Sequence, residues 1–410
     1  MDQMTTNPRL RIAPVPVEVQ GKKMLLFQDP EGIVEESVLV PMEAAAIIQY
    51  FDGSRSIREI QEELTRQSGQ LIDSGLIEDL VQQLDEKLLM DSPRFHGHIM
   101  KLNEEWARQS VRPPYHAGRS YPDDKEKLTR LLDGFYKAPE GPGEIEDQKK
   151  SDDLKAIVAP HMNINDSGAC TAHAFKALAE NTEASLFVVF GTGHMEAQRM
   201  FVMSDKDFQT PLGTAKTDKE LVQRITRLQS NRNPLYDYIH KQEHSIEFMV
   251  LFLQHALKNP EVRILPVLCS GFQPSIVSDS SPSMEPSFKD FMGALTTAIS
   301  ERGEKACYIA GADLAHLGPR YGDQEKYGPA LMQEEEQKDR QMLSHLDRGD
   351  AEGFFKTVAG RNDQRRICGL PPVYAAARAS GAGKGGLLKW SYWYDEQTYS
   401  VVTFASLALY

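Results

Sequence analysis

Leu154-Lys155-Ala156-Ile157-Val158-Ala159-Pro160-His161 is the stretch from which the fold of this 410-residue chain can be read. It is short, apolar and rich in β-formers, so it predicts a strand buried on both faces. Pro160 has no N–H to give to a ladder and ends the strand. His161 is thereby left just beyond the strand's carboxyl end. Two later runs repeat the design: Leu186–Gly193 ends at His194, and Ala306–Ala312 leads into Asp313 and His316. Open α/β sheets bind ligands where the carboxyl ends of strands meet their loops. Three strand-end histidines, joined by one thiol from far down the chain, therefore predict a single metal or catalytic pocket.

Working outward, strand-like and helix-like segments alternate. Helical patterns occupy Gly168–Leu178, Lys219–Leu228, His244–Leu257, Phe288–Ser300, Pro329–Arg348 and Ala351–Ala359, with a further strand at Val262–Leu268. The alternation predicts an α/β domain with helices on both faces of the sheet. A closing strand pair, Leu387–Tyr394 and Tyr399–Leu409, predicts a mixed sheet. Ala138–Asp153 and the Ser/Pro-rich Gln273–Ser287 read as surface loops, the second one mobile.

Residues 1–95 read as a separate small α+β domain. Lys23–Phe27 and Val34–Val40 are strand-like around the turn signal Asp29-Pro30-Glu31-Gly32. Helical periodicity follows over Met42–Phe51, Ser56–Ser68 and Asp73–Leu88, the last with Leu76, Leu80, Leu84 and Leu88 on one face. Two strands and three short helices make a winged-helix-like pattern. Residues 96–111 read as a linker, and 112–410 as the large domain.

Composition sets limits on function. A net charge of −13 argues against a nucleic-acid partner, which needs clustered Lys and Arg. No apolar run approaches the roughly 20 residues that span a bilayer. The first residues show no secretion signal. Cysteines at 170, 269, 307 and 368 form no CxxC pair, which suits a reducing cytoplasm. Cys170, Cys269 and Cys307 sit in a helix or in strands and read as core.

Several side chains carry candidate chemistry. Gly191-Thr192-Gly193 lets the backbone turn closely before His194; a phosphate loop is a weak reading of the same glycines. Glu243-His244-Ser245-Ile246-Glu247 opens a helix, and the dipole there keeps the His244 imidazole neutral, fit to be a base or a ligand. Glu247, one turn on, is placed to orient that ring. Asp313 and His316 read equally as an acid/base pair or a structural one. Cys368 follows Arg361, Arg365 and Arg366, cations that favour thiolate. His96, His98, His173, His240, His255 and His345 read as structural or solvated.

Taken together, seven segments resemble the Memo family, known in bacteria as the AmmeMemoRadiSam system protein B. They are Tyr115-His116-Ala117-Gly118-Arg119-Ser120-Tyr121-Pro122, Ala159-Pro160-His161, Gly193-His194, the Glu243–Glu247 motif, Pro266-Val267-Leu268, Asp313-Leu314-Ala315-His316 and Ile367-Cys368-Gly369. The resemblance covers about residues 112 to 410. It implies a fold similar to class III extradiol dioxygenases and a metal held by His161, His194 and Cys368. His244 would line the same pocket, with His116, Asp313 and His316 nearby. Three places depart from the family pattern: Met162-Asn163-Ile164, Gly191–Met195, and His240-Lys241-Gln242 ahead of the Glu-His-Ser motif. The N-terminal domain looks like a PqqD-type module, a peptide-binding winged helix. Leu39–Phe51 running into Asp52-Gly53-Ser54-Arg55-Ser56-Ile57, and Leu88-Leu89-Met90-Asp91, carry that likeness.

The resemblance implies a metal-dependent redox enzyme, with iron or copper favoured and zinc a further choice. His244 would act as acid or base, helped by Asp313, His316 or His116. The alternative is a non-catalytic metal-binding adaptor that works with a radical-SAM protein. In either case the N-terminal module would dock a peptide or protein.

Overall fold

The computed structural model describes residues 7–29, 33–34, 36–146, 151–195, 199–230 and 237–410. It divides into two compact units, Met1–Arg108 and Gln109–Tyr410. Pro30, Glu31 and Gly32 of the expected turn lie outside the described residues.

The first unit holds a three-stranded antiparallel sheet of β1 (Val15–Val19), β2 (Lys22–Phe27) and β3 (Val38–Pro41). β1 was not expected from the sequence; it carries Pro16, which an edge strand tolerates. Helices Ile57–Ser68 and Ser74–Glu86 follow. Ser56 and Glu59 form a reciprocal cap on the first, and Asp73 caps the second. The buried face of the second helix is Ile77, Val81 and Leu84, whereas Leu76 is 57% exposed. The expected leucine stripe is therefore rotated: Ile77, Val81 and Leu84, spaced four and then three, form the buried face. Residues 96–111, expected as linker, are largely occupied by the helix Pro93–Ala107, which buries Phe95 and Trp106. Its start was marked by Ser92, whose hydroxyl accepts the Phe95 N–H, and by Pro93 in the first turn.

The second unit is built on an eleven-stranded mixed sheet. Its strands are β4 (Val111–Arg112), β5 (Ala156–Ala159), β6 (Leu186–Thr192), β7 (Phe201–Met203), β8 (Asp207–Thr210), β9 (Gly213–Thr217), β10 (Arg263–Cys269), β11 (Ala306–Gly311), β12 (His316–Leu317), β13 (Gly385–Asp395) and β14 (Ser400–Leu409). The order is β12-β14-β5-β11-β6-β10-β9-β8-β4, with β13 on β14 and β7 on β10. The centre, β5-β11-β6-β10, is parallel, and β14 lies antiparallel to β5.

Successive side chains of a strand face opposite sides of the sheet, and both sides are covered here. Val188 and Phe190 pack into the core that holds helices Lys219–Leu228, Pro286–Arg302, Ala351–Ala359 and Leu370–Ser380. Phe187 and Val189 pack into the core shared with Lys125–Lys137, Ile164–Asn181 and His244–Ala256. The helix Leu370–Ser380 was hidden by Pro371 and Pro372, which fall in its first turn, where proline costs no hydrogen bond. Gln273–Ser287, expected as a mobile loop, is partly ordered. It contains the helix Gln273–Val277, Ser281 Oγ lies 3.2 Å from the Tyr374 hydroxyl, and Ser283 Oγ donates to Glu352.

Register positions the site. Gly311 of β11 stands level with Ala159 of β5 and with Gly191 of β6. His161, Asp313 and His194 come two or three residues beyond those level points. The helix His244–Ala256 starts directly over them: a Cβ at Gly311 would lie 2.6 Å from the Ser245 carbonyl oxygen, and one at Gly191 2.6 Å from Ser245 Oγ. Glycine at these two strand ends is what lets the helix start come this close.

Candidate metal centre

His161 is buried at 2% exposure. Its backbone N–H donates to Asp313 Oδ1, as does that of Met162. Ring Nδ1 lies 2.9 Å from the Gly311 carbonyl oxygen, which can only accept. Nδ1 therefore carries the proton, and Nε2 presents its lone pair 3.6 Å from Cys368 Sγ. Burial, reinforced by the neighbouring His194, drops the ring's pKa to about 3, so the imidazole is neutral.

His194 is fixed by a different anchor. Glu243, the N-cap of helix His244–Ala256, accepts the N–H groups of both Ser245 and His194. It also receives His194 Nδ1 at 3.0 and 3.1 Å from its two oxygens. Burial opposes ionisation of Glu243, but hydrogen bonding and charge from His194 prevail, and its pKa falls well below the usual range. Burial works against a charged His194, yet the Glu243 carboxylate outweighs it and raises the pKa. With Nδ1 held, Nε2 of His194 is the nitrogen left to bind a metal. His244 stacks on the His194 ring at 4.9 Å and lies 5.3 Å from that of His161. Its pKa drops to about 3, mainly through burial rather than through the helix dipole inferred from sequence.

Ligand atoms of His161, His194 and Cys368 lie within 4.8 Å of one another. Two overlapping groups meet the same limit: His194, Glu243 and His244, and Asp313, His316 and Cys368. All the strand-end residues thus converge on one place. His316 Nδ1 is held 3.1 Å from both the Leu314 and Arg366 carbonyl oxygens, leaving Nε2 for the site. Asp313 is buried, which pushes its pKa up to about 6.

Some sequence-level roles are corrected. The arginines before Cys368 do not activate it. Arg365 is committed to Glu335 and Asp339, and Arg366 to Asp323. Burial pushes the Cys368 thiol well up, and Asp313 adds to this; a bound metal would be what makes it a thiolate. The glycine turn is no phosphate cradle, because the Gly193 N–H goes to the Cys269 carbonyl and the His194 N–H to Glu243. Glu247 does not orient His244. It lies fully buried 2.5 Å from Arg112 Nη1, and accepts the N–H groups of Tyr115 and His116 and the Tyr121 hydroxyl. His116 is thereby carried to the site's edge, its ring 5.7 Å from that of His244. The orienting role belongs to Glu243, one residue before the helix. An acidic residue directly ahead of a helical pattern is an N-cap signal, a mark that the reading of Glu247 passed over.

The sequence profile of the family described as Memo-like protein matches residues 112–408. The chain belongs to the Memo-like family. A MEMO1 family protein of Aquifex aeolicus is 27% identical over 400 residues, covering 95% of this chain and 96% of its own length. One from Thermus thermophilus is 25% identical over 358 residues, 87% of this chain and 99% of its own. One from Pyrococcus furiosus is 29% identical over 307 residues, 72% of this chain and 97% of its own. The Aquifex match is long enough to run well into the first unit, whereas the Pyrococcus protein has almost no length left for one. The family domain therefore occurs with and without an N-terminal extension. Among the described residues, no helix is long and apolar enough to cross a membrane.

Proposed function

We propose that this Memo-like chain binds one redox-active metal through His161, His194 and Cys368 and uses it in oxidation chemistry. The supporting observation is the pair of anchored rings: each Nδ1 is tied to an acceptor, and each ring offers a nitrogen to a group whose ligand atoms, the Cys368 thiol included, lie within 4.8 Å of one another. Metal-binding histidines are held in this manner by a carbonyl or carboxylate behind the ring. Two imidazoles and a thiolate suit iron or copper, and also zinc. When bound, iron or copper would supply oxygen activation or electron transfer. His244, neutral beside the rings of His161 and His194, is the candidate acid or base, and Asp313, with its pKa of about 6, passes protons near neutrality. His316 and His116 border the same space. The site lies at the carboxyl ends of a mixed sheet, the position expected of a fold similar to class III extradiol dioxygenases, with Cys368 where those enzymes' triad would have a carboxylate.

The test is oxygen uptake by protein purified without oxygen and loaded with iron(II) or copper(I), with an aromatic or peptide substrate present. Uptake above that of free metal is expected, and His244→Ala should lower it by about 10²- to 10⁴-fold. No uptake and no substrate change would sink the enzyme reading in favour of a metal-binding adaptor, a radical-SAM protein being the expected neighbour.

For residues 1–95 we propose a PqqD-like, winged-helix docking module for an extended peptide or protein. Support comes from the small antiparallel sheet with β1 and β3 at its edges and with Val15, Val19 and Leu39 exposed. Such an edge can accept an added strand. Removing residues 1–95 should abolish partner capture in a pulldown while metal content stays unchanged; capture that survives the deletion would count against docking.

A further inference from the structure

A tyrosine stands beside the metal centre without taking part in holding it. Pro319–Tyr321 forms a single 3₁₀ turn one residue after β12. The Tyr321 ring meets that of His316 edge to face, with centroids 5.1 Å apart and planes at 88°. Tyr321 is half-buried. Its hydroxyl has no hydrogen-bond partner among the described residues, and it is not one of the buried unpaired atoms, so it stays open to a guest.

The turn is tied down at three points. The Tyr321 N–H donates to the Gly318 carbonyl, the Arg320 N–H to Ser400 Oγ, and the Gly318 N–H to Asp323 Oδ2. Asp323 is gripped in turn by both terminal nitrogens of Arg366. The carbonyl of that same arginine holds His316 Nδ1, and Cys368 follows two positions on. One frame therefore sets the phenol, the His316 ring and the thiol, which is the support a binding group needs.

Burial raises the pKa of the phenol. Arg320 works against this, while Asp313 and Cys368 lie near enough to add to the rise. The hydroxyl thus stays protonated at neutral pH and can donate. The neighbouring rings do the reverse. With Nδ1 held by carbonyls, His161 and His316 each turn an Nε2 lone pair toward the site. An O–H fixed beside such groups is a preorganised donor for negative charge.

We propose that Tyr321 is a substrate-binding residue, its hydroxyl donating a hydrogen bond to an anionic ligand in the space bordered by Asp313, His316 and Cys368. The substrate class is then a small oxyanion, a carboxylate or a deprotonated hydroxyl. This rests on the metal reading above, because a bound cation is what draws an anion in beside Asp313.

The full chain loaded with cobalt(II), whose absorption reports a thiolate ligand, is titrated with azide and with pyridine. Azide keeps a lone pair on its ligating nitrogen, as an oxyanion does on its oxygen; pyridine spends its single lone pair on the metal. Tyr321→Phe keeps the ring against His316, so cobalt content and the thiolate band should match the parent. Azide should bind the variant roughly tenfold or more weakly, the loss expected of a hydrogen bond to a charged group. Pyridine should bind both alike. Equal azide affinity in parent and variant, or a parent that takes cobalt but no azide, overturns the proposal and leaves the metal reading standing. Equal weakening of azide and pyridine also overturns it, since the phenol would then shape the site rather than donate. A parent without the thiolate band overturns the metal reading, and this proposal with it.

Discussion

Purified without oxygen, the parent chain is expected to carry about one metal ion, and Cys368→Ala next to none, because a three-ligand site loses its single charged donor. Two imidazoles remain in the variant, and without the thiolate they hold a metal weakly. Cys368 is only partly buried, and its sulfur lies 3.6 Å from His161 Nε2 and 3.8 Å from the Asp313 carbonyl oxygen, so alanine should leave the fold intact. Elemental analysis beside a circular dichroism spectrum separates metal loss from unfolding. Glu243→Gln tests the support behind the ligand: the amide can still cap the helix but no longer holds His194 by charge. A fall in metal affinity of about 10- to 100-fold is expected there. Equal metal content in the parent and Cys368→Ala would remove the cysteine from the site.

Arg112→Ala should destabilise the large unit by about 3–5 kcal/mol, the range for breaking a buried ion pair from one side. Both side chains of the Arg112–Glu247 pair are fully buried. The guanidinium also donates to the carbonyls of His240, Glu243 and Pro113, so its loss takes a donor from three acceptors and the countercharge from a buried carboxylate. Arg112→Lys should recover little, because an ammonium cannot reproduce the planar fork. Arg112→Met with Glu247→Leu should recover part of the loss, since an apolar pair carries no unpaired charge. Urea denaturation reads all of these. A change below about 1 kcal/mol for Arg112→Ala, the size of an ordinary surface effect, would show that the pair does not brace the fold. Metal affinity should fall in parallel, because Arg112 holds the Glu243 carbonyl that starts the helix.

The strand-end residues were legible because buried parallel strands leave a plain mark: an apolar run, then a breaker, then a polar residue at the crevice. His161, His194, Asp313 and His316 all follow that mark and do meet. Cys368 carries no such mark; nearby arginines drew attention to it, and only the family resemblance made it a ligand. Pairing across the chain was not legible. Nothing local tells Glu247 to face Arg112, 135 positions earlier, instead of the histidine one turn away. The arginines near Cys368 misled for the same reason: sequence shows proximity along the chain, whereas charge follows partners in space. Short strands such as β7 and β9, and the helix behind Pro371 and Pro372, were missed because tertiary pairing rather than local pattern sustains them.

β14 lies inside the sheet, between β12 and β5, although it follows every other strand in the chain. Chains emerge from the ribosome amino end first. The slot beside β5 therefore stays open until residues 400–409 have been made, and Cys368 itself appears only shortly before them. His161 and His194 are thus synthesised long before the framework that holds them apart can close. The framework around the candidate set of His161, His194 and Cys368 is therefore completed late, after all three residues have been made, and in an order set by the order of the strands.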